Sequence, residues 1–508
     1  MVKKKNHIDF RRATWILLLL CSIVALIVLK FSPFVPFRWW VIAVLIVAIL
    51  LLYRLLLSTT KKRYWFSKIT IGLNLIFSAC LIVVSIFLPY IKGNIEGIFK
   101  RVTEQSTMIN VYALTSEYKS AHKDVFKDTN FYDDILNYKD KTFLSQTSSS
   151  LEDTKAGLEA VQKKIGTIKL LEKSSPEEAA AALYSNQGQA LVLSENVANL
   201  LASNEKYKTF LKDTKVVYSF KKTEKLPEVK RRTLQDGTFS LYVAGSDTRS
   251  GKLSLKDRFD VNMIVTVNPK THQILITSIP RDSLVPNLAL GGGKDKLTHL
   301  GVQGVQNTTK SLNRWLNMEI DNYAIVNFVT FSKIIDALGG IDVDNPYKFV
   351  ATNAGGYTYP KGKIHLNGAE ALGYVRERYS LKDGDFGRGM HQTLVLNAII
   401  RKVSSPSAIT KFPALMNSLS GSLLTDADIN YFYQLGSETL AADKAWDIIN
   451  YRITGSVGMF KTASMPSTPL SCVFPNSEQV AKLRQMIQDM ENDKVIQNPA
   501  KKNTSVKQ

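Results

Sequence analysis

The sequence predicts three N-terminal transmembrane helices, then a small α/β accessory domain, then an α/β/α sandwich around a central mixed sheet. Three observations predict this. Three apolar runs crowd the first 90 residues, β-branched strands alternate with punctuated helices further on, and 508 residues are too many for one core.

The apolar runs cover residues 14–31, 39–57 and 69–90. Each is close to the roughly 20 residues a helix needs to cross a hydrocarbon layer. A cleavable signal peptide would need a small-residue cleavage site before the second run, and none is present. Lys3, Lys4, Lys5, Arg11 and Arg12 precede the first span, and Lys61, Lys62, Arg63 and Lys68 lie between the second and third. By the positive-inside rule both segments are cytoplasmic, so residues 1–13 stay inside and everything after residue 90 lies outside the cell. Arg54, near the end of the second run, can snorkel to the interface.

Cys21 and Cys80 fall within the apolar runs, leaving Cys472 alone outside and excluding an intramolecular disulfide there. The net charge of +21 suits nucleic acid, anionic lipid or an anionic substrate. An exterior location makes nucleic acid the least economical of the three.

Residues 98–215 read as the accessory domain, with strands near 108–114, 167–173 and 189–196 and helices near 151–166 and 176–185. Ser175, Pro176 and Gly188 supply the cap, first turn and stop of the second helix. Residues 216–237, highly charged, read as a linker or a hairpin between the domains. The second domain, 238–490, opens with strands near 238–245, 260–268 and 272–280. It continues with a helix pattern over 297–317, a strand at 323–328 and helices at 331–340, 390–403 and 427–442. The tail, 491–508, is polar, basic and expected to be disordered.

Three clusters could carry chemistry. Asp247 follows a strand-ending Gly and Asp260 opens the next strand, so pairing would bring both to one sheet edge. Two carboxylates without His or Cys suit a hard cation, although Asp also caps turns. In SIPRD (278–282), Arg281 and Asp282 emerge from an apolar strand, where functional side chains are presented and where a simple turn salt bridge would also fit. In the stretch 374–392, Arg376 and Arg378 share a face only if the chain is extended, while Arg388 and Gln392 share a helix face. With Arg258, five arginines sit near candidate carboxylates. A solvated charge run could be built as well from Lys; bidentate grip on phosphate calls for Arg. Cys472 reads as a buried small hydrophobe, His299 as a hydrogen-bonded helix residue and His391 as a surface residue. There is no GxSxG, Walker loop or His/Cys metal spacing.

The motifs GSDTR, RFDVN, SIPRD, DKLTHL, NGAEALGYVRERYS and DFGRGMHQ, in this order over residues 238–403, resemble the LytR–CpsA–Psr (LCP) family of cell-wall glycopolymer ligases. The membrane helices and intervening domain are similar to the streptococcal capsule-type branch. The resemblance implies a plasma-membrane, multi-pass enzyme with extracellular C-terminal domains. Its reaction would be Mg2+-dependent transfer of a capsular or other anionic polysaccharide from a polyprenyl-pyrophosphate carrier to peptidoglycan, with Mn2+ as an alternative metal. By motif match, Asp247 and Asp260 would hold the metal. Arg258, Arg281, Arg376, Arg378, Arg388 and Gln392 would grip the pyrophosphate. Asp385, Arg388 and Arg281 would act at the reacting phosphate, with Asp385 as base or orienting group. Phe259 and the GMH at 389–391 depart from the family pattern. Helices 297–317 and 331–340 with strand 323–328 are the expected walls of an apolar tunnel for the carrier. Other capsule-assembly membrane proteins are expected partners and nucleic acid is not. The same cage would also serve a membrane-anchored regulator of polysaccharide synthesis, or a protein that binds or hydrolyses polyprenyl pyrophosphate.

Overall fold

A computed structural model describes residues 2–32, 35, 37–59, 64–98, 102–226, 237–246, 253–352, 355–403, 414–415, 418–419, 422–428 and 445–498. The chain divides into two compact units, residues 1–100 with 412–420 and 428–446, and the remainder.

The first unit contains the helices Val2–Lys30, Phe37–Thr59 and Tyr64–Ile98. Two of the three expected spans, Arg12–Lys30 and Lys68–Tyr90, are long and apolar enough to cross a membrane; the middle helix offers a shorter apolar stretch, Phe37–Tyr53. Asn74 donates to Thr14 Oγ1 at 3.5 Å between the first and third helices, the polar contact by which apolar helices associate without a hydrophobic drive.

The second unit holds both α/β domains. The accessory sheet consists of β1 (Glu104–Leu114), β2 (Thr142–Gln146), β3 (Lys169–Lys173), β4 (Ala190–Ser194) and β5 (Thr214–Lys225), ordered β3-β2-β4-β1-β5. The segment expected as a linker from residue 216 is therefore largely strand: β5 runs antiparallel to the whole of β1, from Glu104 opposite Lys225 to Leu114 opposite Thr214. Its alternation of Val, Tyr and Phe with Lys is a half-buried period-2 pattern that the charge density conceals. Residues 227–236 lie outside the described residues. Ser175 caps the helix Pro176–Tyr184 through Glu178 N, as its sequence requires.

The second α/β domain is built on β6 (Phe239–Ser246), β7 (Phe259–Asn268) and β8 (Gln273–Ser278). A hairpin of β9 (Leu284–Asn287) and β10 (Gly293–Lys296) follows, then β11 (Asn322–Asn327) and β12 (Ile341–Asn345). Next come β13 (Phe349–Val350), β14 (Thr358–Tyr359), β15 (Gly362–Leu366), β16 (Leu424–Thr425) and β17 (Asp447–Arg452). A final hairpin joins β18 (Gly455–Phe460) to β19 (Leu470–Pro475).

The central sheet runs β16-β11-β6-β7-β8-β17. β6 with β11 and β8 with β17 are parallel pairs, while β7 is antiparallel to both neighbours, so the sheet is mixed as expected. On one face Tyr242, Ile264, Leu275 and Ile325 pack against Leu312 and Leu316 of the helix Val305–Leu316 and against Leu483 and Ile487 of the helix Ser477–Glu491. A separate cluster joins Ile335 of the helix Phe328–Ala337, Tyr374 of the helix Gly368–Arg376 and Val395 of the helix Gly384–Val403.

Asn327 and Asn367 cap the first two helices of this second cluster, the latter in a reciprocal capping box with Glu370. The expected helix at 427–442 lies largely outside the described residues. The tail does not begin at 491: Ile496 is buried, and its amide donates to Gln273 Oε1 at 2.8 Å. The buried Ile496 side chain and two bonds with Gln273 dock the segment onto the start of β8.

Candidate functional site: an arginine-lined cleft at the strand ends

β6, β8, β11 and β17 all point the same way, and β7 begins where they end. At this edge lies a cleft of about 270 Å³ lined by Asp260, Val261, Arg281, Phe328, Val375, Arg376, Arg378, Tyr379, Arg388 and Gln392. It continues into a narrow recess that adds Asp385, Gly389 and Arg452. The carboxyl edge of an α/β sheet is where such folds bind ligands, because no side chain continues the strand and helix N-termini converge there.

Each group is positioned by its element. Ile279 N bonds Asn262 O at 3.0 Å, carrying the β7–β8 ladder one step past β8. Arg281 Nη1 then reaches Asp260 Oδ2 at 2.9 Å. Asp282 stands 3.5 Å from Arg281 Nε and accepts from Lys296 Nζ at 2.9 Å, so it orients Arg281 from behind. Burial works against charge on Arg281, but Asp260, Asp282 and Asp385 outweigh it and raise its pKa. Burial likewise opposes ionisation of Asp282, and Lys296 and Arg281 overcome it, holding that carboxyl below its ordinary range.

Arg376 closes its helix, and Glu377 after it is extended, with φ −65° and ψ 137°. That break fans Arg376 and Arg378 into the same cleft, the extended geometry their spacing requires. Glu377 is fully buried and fixes the break: it accepts from Arg378 N and Ser380 N, each at 2.9 Å, and from Thr352 N. Arg376 lies over Phe328 at 4.6 Å and Arg378 over Tyr379 at 4.7 Å, contacts that align planar guanidinium groups.

The helix expected at 390–403 begins earlier, in the Gly-rich stretch, and runs Gly384–Val403. Gly384 begins it at φ 52°. A Cβ on Gly389 would come within 3.2 Å of Ser278 Oγ, so its absence lets the helix approach the end of β8. Asp385 pairs with Arg388 one turn on. Burial pushes the Arg388 pKa down, Asp385 supports the charge, and Arg281 and Arg378 oppose it. Four arginines against Asp260 leave the main cleft with a formal excess of three positive charges. An anion with several oxygens would relieve it.

The structure gathers Asp260, Arg281, Arg376, Arg378, Arg388 and Gln392 around the cleft and Asp385 in its recess. Arg258 is not among the lining residues, and its described bond is from its backbone to Asp257. Asp247 lies outside the described residues; Ser246, just before it, pairs with Phe259, just before Asp260. Phe259 is fully buried against Tyr242 in the core, so its departure from the motif faces away from the cleft.

His391 is corrected from surface to core. It is fully buried, stacks on Tyr374 at 4.2 Å, bonds Tyr374 O at 3.1 Å through Nδ1, and burial pushes its pKa down to about 4. The expected tunnel walls in 297–317 are also corrected: Leu297, Leu300, Val305, Leu312 and Leu316 are fully buried in packed core. The incompletely buried apolar side chains lie on the other face of the sheet, at Leu241, Val243, Ala324 and Val326. His299, bonded to Asp295 at 2.9 Å, and buried Cys472 are structural.

Arg452 was missed. It ends β17 as Arg281 follows β8, and it donates to Phe386 O at 2.8 Å, tying down the start of the Gly384–Val403 helix. The same signal, an apolar strand ending in Arg, was present in DIINYR.

An arginine-rich cleft at the carboxyl edge of a mixed sheet defines an α/β protein with a site suited to polyanionic groups. The LytR_cpsA_psr family model matches residues 202–467, just over half of the chain, and the chain belongs to that family. It is 35% identical over 219 residues to the "polyisoprenyl-teichoic acid--peptidoglycan teichoic acid transferase TagU" of Halalkalibacterium halodurans, covering 43% of this chain and 69% of that one. It is 37% identical over 212 residues to the TagU of Bacillus licheniformis, covering 41% of this chain and 62% of that one. Among solved structures, TagV of B. subtilis is 30% identical with a TM-score of 0.43, covering 51% of this chain and 99% of that one.

Proposed function

We propose that this protein transfers a glycopolymer from a polyprenyl-diphosphate carrier onto peptidoglycan. The observation that carries this is the convergence of Arg281, Arg376, Arg378 and Arg388 on a cleft with one facing carboxylate, in a member of a family whose relatives are named as such transferases. Phosphoryl transfer asks a protein for positioning and charge neutralisation more than for covalent chemistry, which such a cage supplies.

In the proposed reaction an acceptor hydroxyl oxygen attacks the glycopolymer-bearing phosphorus. A new P–O bond forms, the bridging P–O bond of the diphosphate breaks, and polyprenyl monophosphate leaves with the electron pair. Asp385, beside Arg388 and near Arg281, receives the hydroxyl proton. Gln392 and the arginines hold the phosphate oxygens, with Arg258 in a supporting place.

The residues present fit a hard divalent cation. Asp260 lines the cleft, no thiol or imidazole lines it among the described residues, and Mg2+ or Mn2+ is held by few carboxylates together with phosphate and water. Asp260 with Asp247 would hold it, where it would neutralise charge on the diphosphate and on the polyprenyl monophosphate that leaves. Phe328 and the half-buried Leu241, Val243, Ala324 and Val326 offer the apolar surface for the carrier chain. The N-terminal helices anchor the protein as a multi-pass membrane protein with its α/β domains outside, by the charge of their flanks. Capsular polysaccharide is the proposed cargo, with capsule-assembly proteins as neighbours.

The test is to incubate purified full-length protein with labelled carrier-linked glycopolymer, Mg2+ and peptidoglycan fragments. Covalent label on peptidoglycan, with release of polyprenyl monophosphate, is expected. Release of free glycopolymer phosphate without transfer would instead make the protein a hydrolase.

A further inference from the structure

The strands β2, β3 and β4 of the accessory domain are mutually parallel and end at one edge. That edge is the ligand-binding position of an α/β sheet, and here segments of the catalytic domain occupy it. Ser149, after β2, accepts from Gln303 Nε2 at 3.4 Å. Ser175, after β3, meets Ser467 Oγ at 2.9 Å, and Glu177 accepts from Thr468 N at 3.1 Å. Asn196, after β4, donates to the Lys256 carbonyl at 2.9 Å. Val302 and Met465 of the catalytic domain are packed within the accessory core beside Leu144, Leu183 and Leu201.

The charged centre of this joint is Lys256, whose side chain is 8% exposed. Its ammonium lies 3.0 Å from Asp153, in the first turn of the helix Leu151–Ile165, and 3.7 Å from Glu224. Lys222 shares Asp153 at 3.1 Å, so two cations and two anions neutralise one another around the buried Asp153–Lys256 pair, with Glu224 at the partly exposed rim. Desolvation makes such a group a poor source of net stability, which leaves fixing one arrangement as its use.

Both docked segments lead directly to the cleft. After Lys256, Asp257 N bonds Gly301 O at 2.9 Å, and β7 follows with Asp260. After Thr468 comes β19, where Val473 N bonds Asp282 O at 2.8 Å, one residue from Arg281. The two routes end on the two partners of one ion pair, Asp260 and Arg281.

We propose that the accessory domain is a clamp that sets the placement of the Asp260–Arg281 pair, and that Lys256 is the positioning residue through which it acts. The inference rests on the diphosphate reading of the cleft.

The test titrates full-length protein in detergent with inorganic pyrophosphate and Mg2+ by calorimetry, with thermal melting as a folding check. Lys256→Met is expected to weaken pyrophosphate binding about tenfold, Asn196→Ala about threefold, and Lys256→Arg to restore binding to within about twofold. In an Arg281→Lys background, Lys256→Met should cost much less than in the parent, because both act on one pair; full additivity would overturn the proposal. Unchanged binding in Lys256→Met beside a large loss in Arg281→Ala would also overturn the clamp and leave the cleft assignment standing. Unchanged binding in Arg281→Ala would remove the cleft assignment and the clamp with it. If Lys256→Met does not fold, Asn196→Ala decides, and its binding at the parent level would count against the clamp.

Discussion

At the carboxyl edge of the accessory sheet, Gln146 turns back on its own loop, accepting from Ser148 N at 2.9 Å and Ser149 N at 2.7 Å and donating to Thr154 Oγ1 at 3.1 Å. At the same edge of the catalytic sheet, four guanidinium groups face a shared cleft beside one carboxylate. Both domains offer an α/β edge, but one bonds most of its polar groups internally or against its neighbour, and the other leaves a net positive charge facing its cleft. The difference teaches that the fold supplies the position and unbalanced side-chain chemistry supplies the function.

The comparison breaks most visibly at the reacting groups. Asp385→Asn should lower kcat by about 10²–10⁴ with little change in KM, measured in the transfer assay, if this carboxylate takes the acceptor proton. Arg281→Ala should cost about 10²–10³ in transfer while leaving the melting temperature near the parent value. Arg281→Lys should recover only part of that loss, because an ammonium cannot reproduce the guanidinium fork.

The accessory edge should respond in stability. Asp153→Asn leaves Lys256 and Lys222 buried against one carboxylate fewer, and denaturant unfolding should show a loss of about 3–5 kcal/mol.

A pH effect separates the hydrophobic interior of the catalytic domain from its cleft. With His391 held near a pKa of about 4 in the fold, against an ordinary 6.5, the unfolded chain takes up the proton first as pH falls. The stabilising contribution is therefore complete above pH 6.5 and is lost on descent toward 4, at most about 3 kcal/mol. His391→Asn, which keeps a donor for Tyr374 O, should flatten that part of the stability–pH curve in calorimetry.

The smallest effect is expected at Glu177, whose pKa burial raises. Its charged form weakens the fold as pH climbs above the ordinary carboxyl range. Glu177→Gln keeps an acceptor for Thr468 N and should gain about 0.5 kcal/mol at neutral pH.

Much of the central sheet was legible because β6, β7 and β8 are β-branched runs bounded by turn residues, and the Arg and Asp at their ends announce themselves by interrupting apolar sequence. Arg376 and Arg378 were legible as a pair because period-2 spacing has one geometric meaning. The buried Glu377 between them was not, since only the fold shows that its carboxylate closes a turn on Thr352 and Ser380. β5 was hidden by its lysines, of which Lys215, Lys221 and Lys225 face outward from a paired strand while Lys222 turns in to Asp153. His391 was misplaced because its burial depends on Tyr347, Phe349 and Tyr374, brought to it by tertiary packing. The helical start at Gly384 was masked by three glycines, residues whose propensity opposes a helix that Arg452 and the end of β8 hold in place.

The docking of Ile496 has a practical consequence for anyone handling the protein. The residues after the last helix belong to the frame of the central sheet, because Gln273, where β8 starts, bonds both Ile496 N and Ile496 O at 2.8 Å. A truncation before that point, or a purification tag fused there, would loosen the strand that delivers Arg281 at its far end, and a chain trimmed for convenience would be read as inactive for the wrong reason.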